Sequence, residues 1–559
     1  MKAKLQGKKA LLLLLMPALA GILLGVSCLS VPKPYSGSDL TQFSAESAAR
    51  YIGRIAQKPH SVFDTEEHEA VLCYLVSELE ALGVEVNTRE YTIHYADEES
   101  QVLNVTNIHG RIDGISDDAI LLVAHYDSVM NFDRNTWKPL PGISCGAADD
   151  GYGVGVIMEI VRAIHAQGLP LSNDLMILFT DAEEMGMAGA EEEMKHNLNA
   201  FRNVRLVINV EARGVKGPAV MFETGSGNAA VIDFYRANAK NPFSFSFATD
   251  VYRNMPNATD LTEFLSKGFT GLNFSVLDSL DYYHNEKDNL RNINLSSIQH
   301  YGDQIHAMVI AFVHTPQGKL PEFKADHNKI FFNVPPGVLV SYSGGFAFIQ
   351  LLFAAALLIS ALIAGLKRKE IALSGVLKSL VFLLASILGA GLFGTLVVYA
   401  SALISGRTFR LVNLRSIPGD GIILIGVILL SALFQFSVLR RLNKKSPAGI
   451  EAAAGVTLMN LVLGCLSYDL LPGASYLLTI PTCLTAAYTL AKVCLKRGFA
   501  AYTAYTLTAL AIPVLFIAPL KLMHLSLTIG SAGIVAALAM AGLASITPLL
   551  LSELKPHEG

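Results

Sequence analysis

The chain has 559 residues, of which 52% are hydrophobic and 16% are charged. This composition is too apolar for an ordinary soluble enzyme and too charged for a protein that lies wholly within a membrane. The net charge of −4 is small and of mixed sign, so no nucleic-acid partner is expected. We therefore expect a water-soluble part and a membrane part.

The amino terminus combines a basic flank with an apolar segment. The flank reads MKAKLQGKKA, and it carries Lys2, Lys4, Lys8 and Lys9. About twenty apolar residues follow, which is enough to cross the hydrocarbon core of a bilayer. We predict that residues 1–34 are a signal anchor that forms a transmembrane helix, with a cleaved signal peptide as the alternative.

Residues 35–335 hold nearly all of the acidic and histidine residues and are predicted to form a water-soluble domain. Apolar residues at helical spacing, closed by a glycine, predict an amphipathic helix over 63–83. Strand patterns then alternate with helical patterns, which indicates an α/β sandwich around a largely parallel sheet. The predicted strands are 84–95, 102–113, 119–127, 175–182 and 204–212, and the predicted helices between them are 153–168 and 188–198.

Acidic and histidine side chains follow these strands or lie in glycine-rich turns, where sites of such sheets are found. The candidates are His125, Asp127, Asp149, Glu183, Glu184, Glu211 and His284. Histidine and carboxylate groups without cysteine are typical of a catalytic zinc site. Two metal ions need a bridging carboxylate, for which Asp149 is the natural candidate. We expect His125 with Glu211 at one ion and His284 with Glu184 at the other.

The two remaining candidates are expected to support this centre without binding metal. Adjacent residues at a strand end point in different directions, so Glu183 is free to act as the general base if Glu184 is a ligand. Asp127 lies on the same face as His125 and can accept the other imidazole N–H, which would fix the tautomer of the ring.

Residues 336–559 are predicted to form an all-α membrane domain of about seven helices. The apolar segments lie near 344–366, 378–404, 420–439, 450–468, 473–494, 502–520 and 524–549. Basic residues cluster in alternate loops, which are predicted to be cytoplasmic together with the amino terminus. These residues are Lys367, Arg368, Lys369, Arg440, Arg441, Lys444, Lys445, Lys492, Lys496 and Arg497, whereas the intervening loops carry Arg407, Arg410, Arg415 and Lys521.

This topology predicts an integral membrane protein whose 35–335 domain is extracytoplasmic. The compact loops and the short anchor favour a bacterial plasma membrane. Few intramembrane residues are ionisable, so contact with the lipid bilayer, anchoring and homo-oligomerisation are the simplest roles of the membrane domain.

Five motifs resemble the M28 metallopeptidases, which are co-catalytic dizinc aminopeptidases and carboxypeptidases. The motifs are AHYDS, GAADDGYG, FTDAEEMGMAGA, NVEARG and YYHNEKD, and they occur in the family's order within about residues 45–315. The resemblance implies the zinc exopeptidase fold, a three-layer sandwich with a mixed, largely parallel central sheet of about eight strands. It also implies zinc ligands at His125, Asp149, Glu184, Glu211 and His284, with Glu183 as the base and Asp127 as the orienting residue.

The chain departs from the family's pattern in three places. Gly151, Tyr152 and Gly153 replace the usual Ala-Ser-Gly after the bridging aspartate, and Glu211 stands where secreted aminopeptidases commonly have aspartate. The third departure is the multi-span tail. Together with KPHSV at 58–62, it makes the chain similar to the membrane-bound branch that contains the endoplasmic reticulum metallopeptidase and vacuolar membrane proteases.

The sequence predicts a membrane-anchored dizinc exopeptidase that cleaves peptides outside the cytosol with metal-activated water. An aminopeptidase is the leading hypothesis. A carboxypeptidase would need cations for the substrate carboxylate, and Arg213 and Arg253 are available. A glutaminyl cyclase with a single zinc ion is a further alternative. A catalytically degenerate receptor or chaperone-like membrane protein is the alternative outside enzymes.

Overall fold

The computed structural model describes most of the chain. The described residues are 2–94, 102–133, 135, 138–412, 414, 417, 419–442, 449–495 and 498–554, with side chains from residue 11 onward. Several basic residues used in the topology prediction lie outside the described residues or have side chains outside them. These are Lys2, Lys4, Lys8, Lys9, Arg415, Lys444, Lys445, Lys496 and Arg497.

A mixed sheet of seven strands lies at the centre of the water-soluble part, in the order β1-β2-β6-β3-β7-β9-β8. The strands among the described residues are β1 (Glu85–His94), β2 (Val102–Ile112), β3 (Gly114–His125), β4 (Asn131–Phe132), β5 (Pro139–Leu140), β6 (Leu171–Thr180), β7 (Val204–Ala212), β8 (Val220–Thr224), β9 (Gly271–Val276), β10 (Lys329–Val334) and β11 (Val338–Ser343). The central strands β6, β3, β7 and β9 pair in parallel, and β1, β2 and β8 are antiparallel to their neighbours. The predicted mixed sheet is confirmed. The described part of the sheet has seven strands, one fewer than the eight that the family resemblance implied.

Helices cover both faces of this sheet. Those of the water-soluble part are α2 (Ala45–Ile55), α3 (Thr65–Ala81), α4 (Gly151–Gln167), α5 (Ala188–His196), α6 (Ala229–Asn238), α7 (Ser246–Arg253), α8 (Asp260–Ser266) and α9 (Leu295–Val313). Strand β3 shows why two layers form, because side chains alternate across a strand. Ile120 and Leu122 pack in the core that contains α4 and α9, whereas Leu121 and Val123 pack in the core that contains α8. The predicted three-layer sandwich is confirmed.

Seven helices are long and apolar enough to cross a membrane in the part of the chain that the structure describes, which confirms the predicted integral membrane protein. They are α10 (Gly344–Lys367), α11 (Leu373–Ile404), α12 (Asp420–Leu442), α13 (Ile450–Leu470), α14 (Tyr476–Leu490, continued by a π-helical turn to Leu495), α15 (Gly498–Leu527) and α16 (Ala532–Glu553). The bounds of α10 and α12 lie within three residues of the apolar runs of the sequence, whereas α16 begins at Ala532, eight residues after the predicted start at 524.

The amino-terminal helix α1 (Lys2–Ser27) packs along α15. Its glycines permit a close approach, since a Cβ at Gly21 would lie 2.4 Å from the carbonyl oxygen of Leu510. The hydroxyl of Tyr505 donates to the carbonyl of Leu14 at 2.6 Å. These contacts place α1 as a component of the helical bundle.

The water-soluble and membrane parts pack against each other through one apolar cluster that contains Phe247 and Phe332 as well as Tyr476. The rings of Phe332 and Tyr476 stack with centroids 4.5 Å apart. Polar contacts reinforce this packing at Gly473, whose carbonyl accepts from the Ser246 hydroxyl at 2.6 Å. The contact lies between α13 and α14, in a loop that the topology prediction places outside the cytosol.

We expect Ser246→Ala to lower the melting temperature of the whole protein by at least a degree. Ser246 is buried, so its loss leaves the Gly473 carbonyl without a donor, at a cost of about 1–3 kcal/mol. Thermal unfolding of the purified chain in detergent measures the shift. Ser266→Ala is the matched control, because that hydroxyl is exposed and bonds within its own helix. Equal melting temperatures for the two variants would contradict the prediction.

Candidate metal centre

Three neighbouring parallel strands bring the first candidate residues to one edge of the sheet. His125 is the last residue of β3, and Glu211 lies at the end of the adjacent strand β7. Strand β6, the other neighbour of β3, ends at Thr180, and Glu183 and Glu184 follow it. Because these strands are parallel, their carboxyl ends meet at the same edge. The order β6-β3-β7 therefore joins residues that are far apart in sequence.

Two loops complete the cluster. Asp149 precedes α4, and His284 lies in the loop after β9. Asp288 connects these loops, because its carboxylate accepts from the backbone N–H of Ala148 at 2.7 Å and from that of Asp149 at 3.2 Å. Asp288 is fully buried. It therefore fixes the backbone that carries Asp149 relative to the loop that carries His284.

The carboxylate of Asp149 lies between two groups of side chains. Its Oδ1 is 3.4 Å from His125 Nε2, and the same nitrogen is 4.0 Å from Glu211 Oε2. Its Oδ2 is 3.1 Å from His284 Nε2, which is 3.0 Å from Glu184 Oε1. Within each group the ligand atoms all lie within 4.8 Å of one another. The structure thus brings together the five residues predicted as ligands, with one oxygen of Asp149 facing each histidine.

Asp127 contacts both His125 and the acidic pair. His125 Nδ1 lies 2.9 Å from the carbonyl oxygen of Asp127 and 3.2 Å from its Oδ1. In the tautomer with the N–H at Nδ1, the ring donates to Asp127 and directs the lone pair of Nε2 toward Asp149, as a metal-binding histidine requires. The same carboxylate accepts the backbone N–H of Glu183 at 3.1 Å and that of Glu184 at 3.3 Å. Asp127 therefore positions the ring and the turn together.

The turn after β6 separates the two adjacent glutamates. It begins at Ala182, a non-glycine residue with φ of 57°, and ends at Gly186, with φ of 89°. Such left-handed conformations cost about 1–3 kcal/mol at a non-glycine residue and are concentrated at functional sites. Glu184 lies against His284, whereas Glu183 lines the large cavity beside the centre. The two carboxylates are therefore available for different roles.

Glu211 uses its two oxygens differently. Oε1 accepts from the side-chain amide of Asn209 at 3.1 Å, and Asn209 also donates to the Asn273 carbonyl oxygen. Oε2 is the oxygen that faces His125. The longer side chain, which replaces the family's common aspartate, is thus held in place by an amide and keeps one oxygen directed at the cluster.

The segment Gly151–Gly153, another departure from the family's pattern, changes the wall behind Asp149. Tyr152 is fully buried, and its hydroxyl donates to the Val215 carbonyl and accepts the Asn294 N–H, both at 2.7 Å. These bonds tie the start of α4 to the loops after β7 and before α9. The departure alters the support of Asp149 and leaves its carboxylate between the two histidines.

Burial and crowding shift the acid–base properties of the cluster. Burial raises the pKa of Glu184 to about 7 and that of Glu211 to about 8, and the negative charge of Asp149 adds to both shifts. Burial lowers the pKa of His284, but the close approach of the Asp149 and Glu184 carboxylates outweighs this and raises that pKa to about 10. Burial also raises the pKa of Glu183 well above its usual range, with the charge of Glu211 as the next cause. The carboxylates repel one another, and a divalent cation would relieve that repulsion.

The donor set fits zinc. Glu184 Oε1 and His284 Nε2 are buried and make no well-oriented hydrogen bond, although they are 3.0 Å apart. Two buried polar atoms that lie close together without a hydrogen bond can be explained by a metal ion that both of them bind. Imidazole nitrogen and carboxylate oxygen are ligands that zinc accepts. The residues present would hold one ion between His125 and Glu211 and a second between His284 and Glu184, with Asp149 shared.

Two buried carboxylates of this region were missed by the sequence analysis. Asp288 belongs to the motif YYHNEKD, so its position four residues after His284 was a usable signal. Burial and the charge of Asp149 raise its pKa to about 7. Asp260 is fully buried at the start of α8 and accepts from the Thr180 hydroxyl, and burial raises its pKa to about 6. An acidic residue at a helix start is common on protein surfaces, so the sequence held no signal for Asp260.

Comparison with known proteins supports the family resemblance. Residues 107–309 match the model of Peptidase family M28. The chain is 27% identical over 322 residues to endoplasmic reticulum metallopeptidase 1 of Mus musculus, with 54% of this chain and 34% of the relative covered. It is 28% identical over 260 residues to a vacuolar membrane protease of Candida dubliniensis, with 44% of this chain and 26% of the relative covered. This chain thus spans about a third or less of the length of these two relatives.

Among solved structures, the aminopeptidase from Aneurinibacillus sp. strain AM-1 is similar with a TM-score of 0.41 and 13% identity. The similarity covers 52% of this chain and 98% of that protein.

Proposed function

We propose that this chain, which carries a domain of Peptidase family M28 over residues 107–309, is a membrane-anchored exopeptidase that binds two zinc ions. The observation that carries the proposal is Asp149, whose two oxygens each face a different histidine within a separate group of possible ligands. A bridging carboxylate with one histidine and one further carboxylate on each side is the arrangement that a two-metal hydrolase needs.

Zinc, when bound, supplies Lewis-acid polarisation of the scissile carbonyl and lowers the pKa of water. The chain's own residues supply the proton transfers and the orientation. Glu183 lines the cavity and is not assigned as a zinc ligand, so we assign it as the general base. It takes a proton from the attacking water and delivers it to the nitrogen of the departing amine.

Asp127 acts as a positioning residue, and we expect Asp127→Asn to weaken zinc binding by about 10–100-fold. Oδ1 of Asp127 faces His125 Nδ1 and accepts the Glu183 N–H, and Oδ2 accepts the Glu184 N–H, so an amide, which has one acceptor oxygen, cannot keep all three contacts. Titration of the full chain with a chelator that competes for zinc measures the affinity. Asp303→Asn is the control, because Asp303 is also buried but bonds to Lys240 and Asn241. A wild-type affinity in Asp127→Asn would contradict the positioning role.

The surroundings of the centre favour an aminopeptidase over a carboxypeptidase. The carboxylates of Asp149, Glu183 and Glu211 line the cavity together with one cation, Arg213. Arg213 already donates to the carbonyl of Ser526 at 3.3 Å. A substrate carboxylate would need a cation that is not already hydrogen-bonded, whereas the free amine of an aminopeptidase substrate would not. Arg253, the other cation considered, is exposed on α7 and does not line the cavity.

Cleavage of amino-acid anilides by the purified full chain tests this assignment. The expected result is release of the anilide from unblocked substrates and none from peptides with a blocked amino terminus. Cleavage of only the blocked peptides would contradict the aminopeptidase and favour the carboxypeptidase. Formation of pyroglutamate from amino-terminal glutamine, together with a single zinc ion per chain, would favour a glutaminyl cyclase.

We further propose that the peptidase part faces away from the cytosol. Its contacts with the membrane part involve Gly473 and the end of α15, which lie on the side predicted to be extracytoplasmic. The expected location in a bacterial plasma membrane stays a prediction, because the matched relatives are eukaryotic and are named for the endoplasmic reticulum and the vacuolar membrane. Homo-oligomerisation also stays a prediction.

A further inference from the structure

The cavity beside the metal centre has a volume of about 360 Å³ and two different ends. Asp149, Glu183 and Glu211 lie at one end. The rest is largely apolar, and most of it is contributed by strand β8, helix α7, residues 255–259, the loop that follows β9 and helix α15. A pocket of this size with a few polar groups at one end is typical of a site that takes a small part of a ligand.

One wall of this cavity comes from the membrane part. Leu522, Met523 and Ser526 of α15 line it together with residues of the peptidase part such as Phe222 and Val251. Leu522 and Met523 are only 4% and 8% exposed, so their side chains are enclosed by the protein. By contrast, Leu507 on the same helix is 50% exposed, as expected for a residue that faces lipid. The end of α15 is therefore built into the cavity.

Two polar contacts hold this end of α15 against the catalytic edge of the sheet. Arg213, two residues after Glu211, donates to the carbonyl of Ser526 at 3.3 Å. Lys521 lies 3.8 Å from Asp278, in the loop after β9 that leads to His284. The segment that follows Glu211 and the loop that leads to His284 thus both contact α15. The wall has a fixed position relative to the ligands, as a specificity pocket requires.

We propose that Leu522 and Met523 of membrane helix α15 form one wall of the pocket for the substrate's terminal side chain, and that the enzyme therefore prefers a large apolar residue there. The inference rests on the proposed exopeptidase function. The substrates are peptides that begin with residues such as leucine, methionine or phenylalanine. A charged terminal side chain would lose its hydration against this wall without gaining a partner. The membrane part then contributes to specificity as well as to anchoring.

The test compares substrates of the form Xaa-Gly-Gly on the full chain in detergent, with alanine, leucine or phenylalanine at Xaa. Each methylene group in an apolar pocket is worth about 10–200-fold in kcat/KM, so the wild type should prefer leucine to alanine by at least about tenfold. Met523→Trp fills the pocket and should reduce kcat/KM for the leucine and phenylalanine peptides by about tenfold or more. The alanine peptide should change by less than about threefold, because its side chain does not reach the wall.

Met523→Ala is the second variant, since it cannot fail by overfilling the pocket. It removes contacts from the wall and should also lower the ratio of leucine to alanine cleavage. Leu507→Trp and Leu507→Ala are the matched controls at the lipid-facing position of the same helix, and they should leave the ratio unchanged. Binding of free leucine and free alanine, measured by titration calorimetry, provides a readout that does not depend on turnover. The affinity for leucine should fall in both Met523 variants.

The outcomes separate this inference from the proposed function. Active, zinc-containing Met523 variants with the wild-type ratio and the wild-type affinity for leucine would overturn the role of α15 and leave the peptidase standing. A wild-type chain that holds two zinc ions but cleaves no peptide would overturn the proposed function, and the inference with it. A lower ratio in the Met523 variants but not in the Leu507 variants would support the inference.

Discussion

Replacement of Asp149 by alanine should leave the chain without tightly bound zinc and reduce kcat/KM by about 10³-fold or more. Metal-ion chemistry contributes several kcal/mol to such hydrolyses, and each 1.36 kcal/mol is worth tenfold. Asp149 is 5% exposed, and its oxygens approach His125 at 3.4 Å and His284 at 3.1 Å. In the proposed centre its loss would take one ligand from each ion at once, whereas loss of any other ligand would affect one ion directly.

The measurement is zinc per chain by elemental analysis, with cleavage of leucine anilide measured on the same sample. Asp303→Asn again serves as the control for a buried aspartate outside the centre, and it should keep both zinc ions and the wild-type rate. Glu184→Ala is a graded comparison that should retain more zinc than Asp149→Ala. Two zinc ions retained by Asp149→Ala would show that this carboxylate does not bridge the metals.

Substitution of glutamine for each member of the acidic pair should give results that differ in kind. Glu183→Gln should lower kcat by about 10²–10⁴-fold and keep both zinc ions, because a general base contributes that much and the side chain is not a ligand. Glu184→Gln should lose zinc, because Glu184 Oε1 lies beside His284 and an amide is a poorer zinc ligand than a carboxylate. The two substitutions are matched in size and in sequence neighbourhood.

Zinc content, kcat and KM for both variants distinguish these outcomes. The turn that carries the pair is held by backbone N–H groups that donate to Asp127, so neither side-chain change removes that support. Loss of zinc from Glu183→Gln would show that Glu183 is a zinc ligand, and it would contradict the assignment of Glu183 as the base. If Glu183→Gln matched the wild type in every hydrolysis assay, Glu183 would not be the base, and the result would favour a receptor or chaperone-like membrane protein with a degenerate peptidase domain.

The sequence was sufficient to predict the elements that carry the centre. His125 and Glu211 lie at the ends of near-continuous apolar runs. Such runs are the sequence pattern of strands that are buried on both faces of a parallel sheet. Their meeting at one edge follows from the α/β fold. The strand order β6-β3-β7 could not be read from the pattern, because pairing depends on which strand faces fit together over long sequence separations.

Other contacts were beyond sequence patterns for physical reasons. His300 looks like a surface residue on a polar helix face, yet it is buried, with Nδ1 accepting the Ala219 N–H at 3.1 Å. A helical pattern shows which residues are polar, but it does not show which loop covers them. Arg213 and Ser526 lie 313 residues apart in sequence, and only the packed structure shows that they hydrogen-bond. The contribution of α15 to the cavity was therefore unpredictable from its apolar sequence.

The zinc content of the wild-type chain tests the central claim most directly. The full chain is purified in detergent without added metal, and zinc is counted per chain by elemental analysis. The arrangement of two histidine–glutamate groups around Asp149 predicts two zinc ions. One zinc ion per chain, or none, would contradict a two-metal centre.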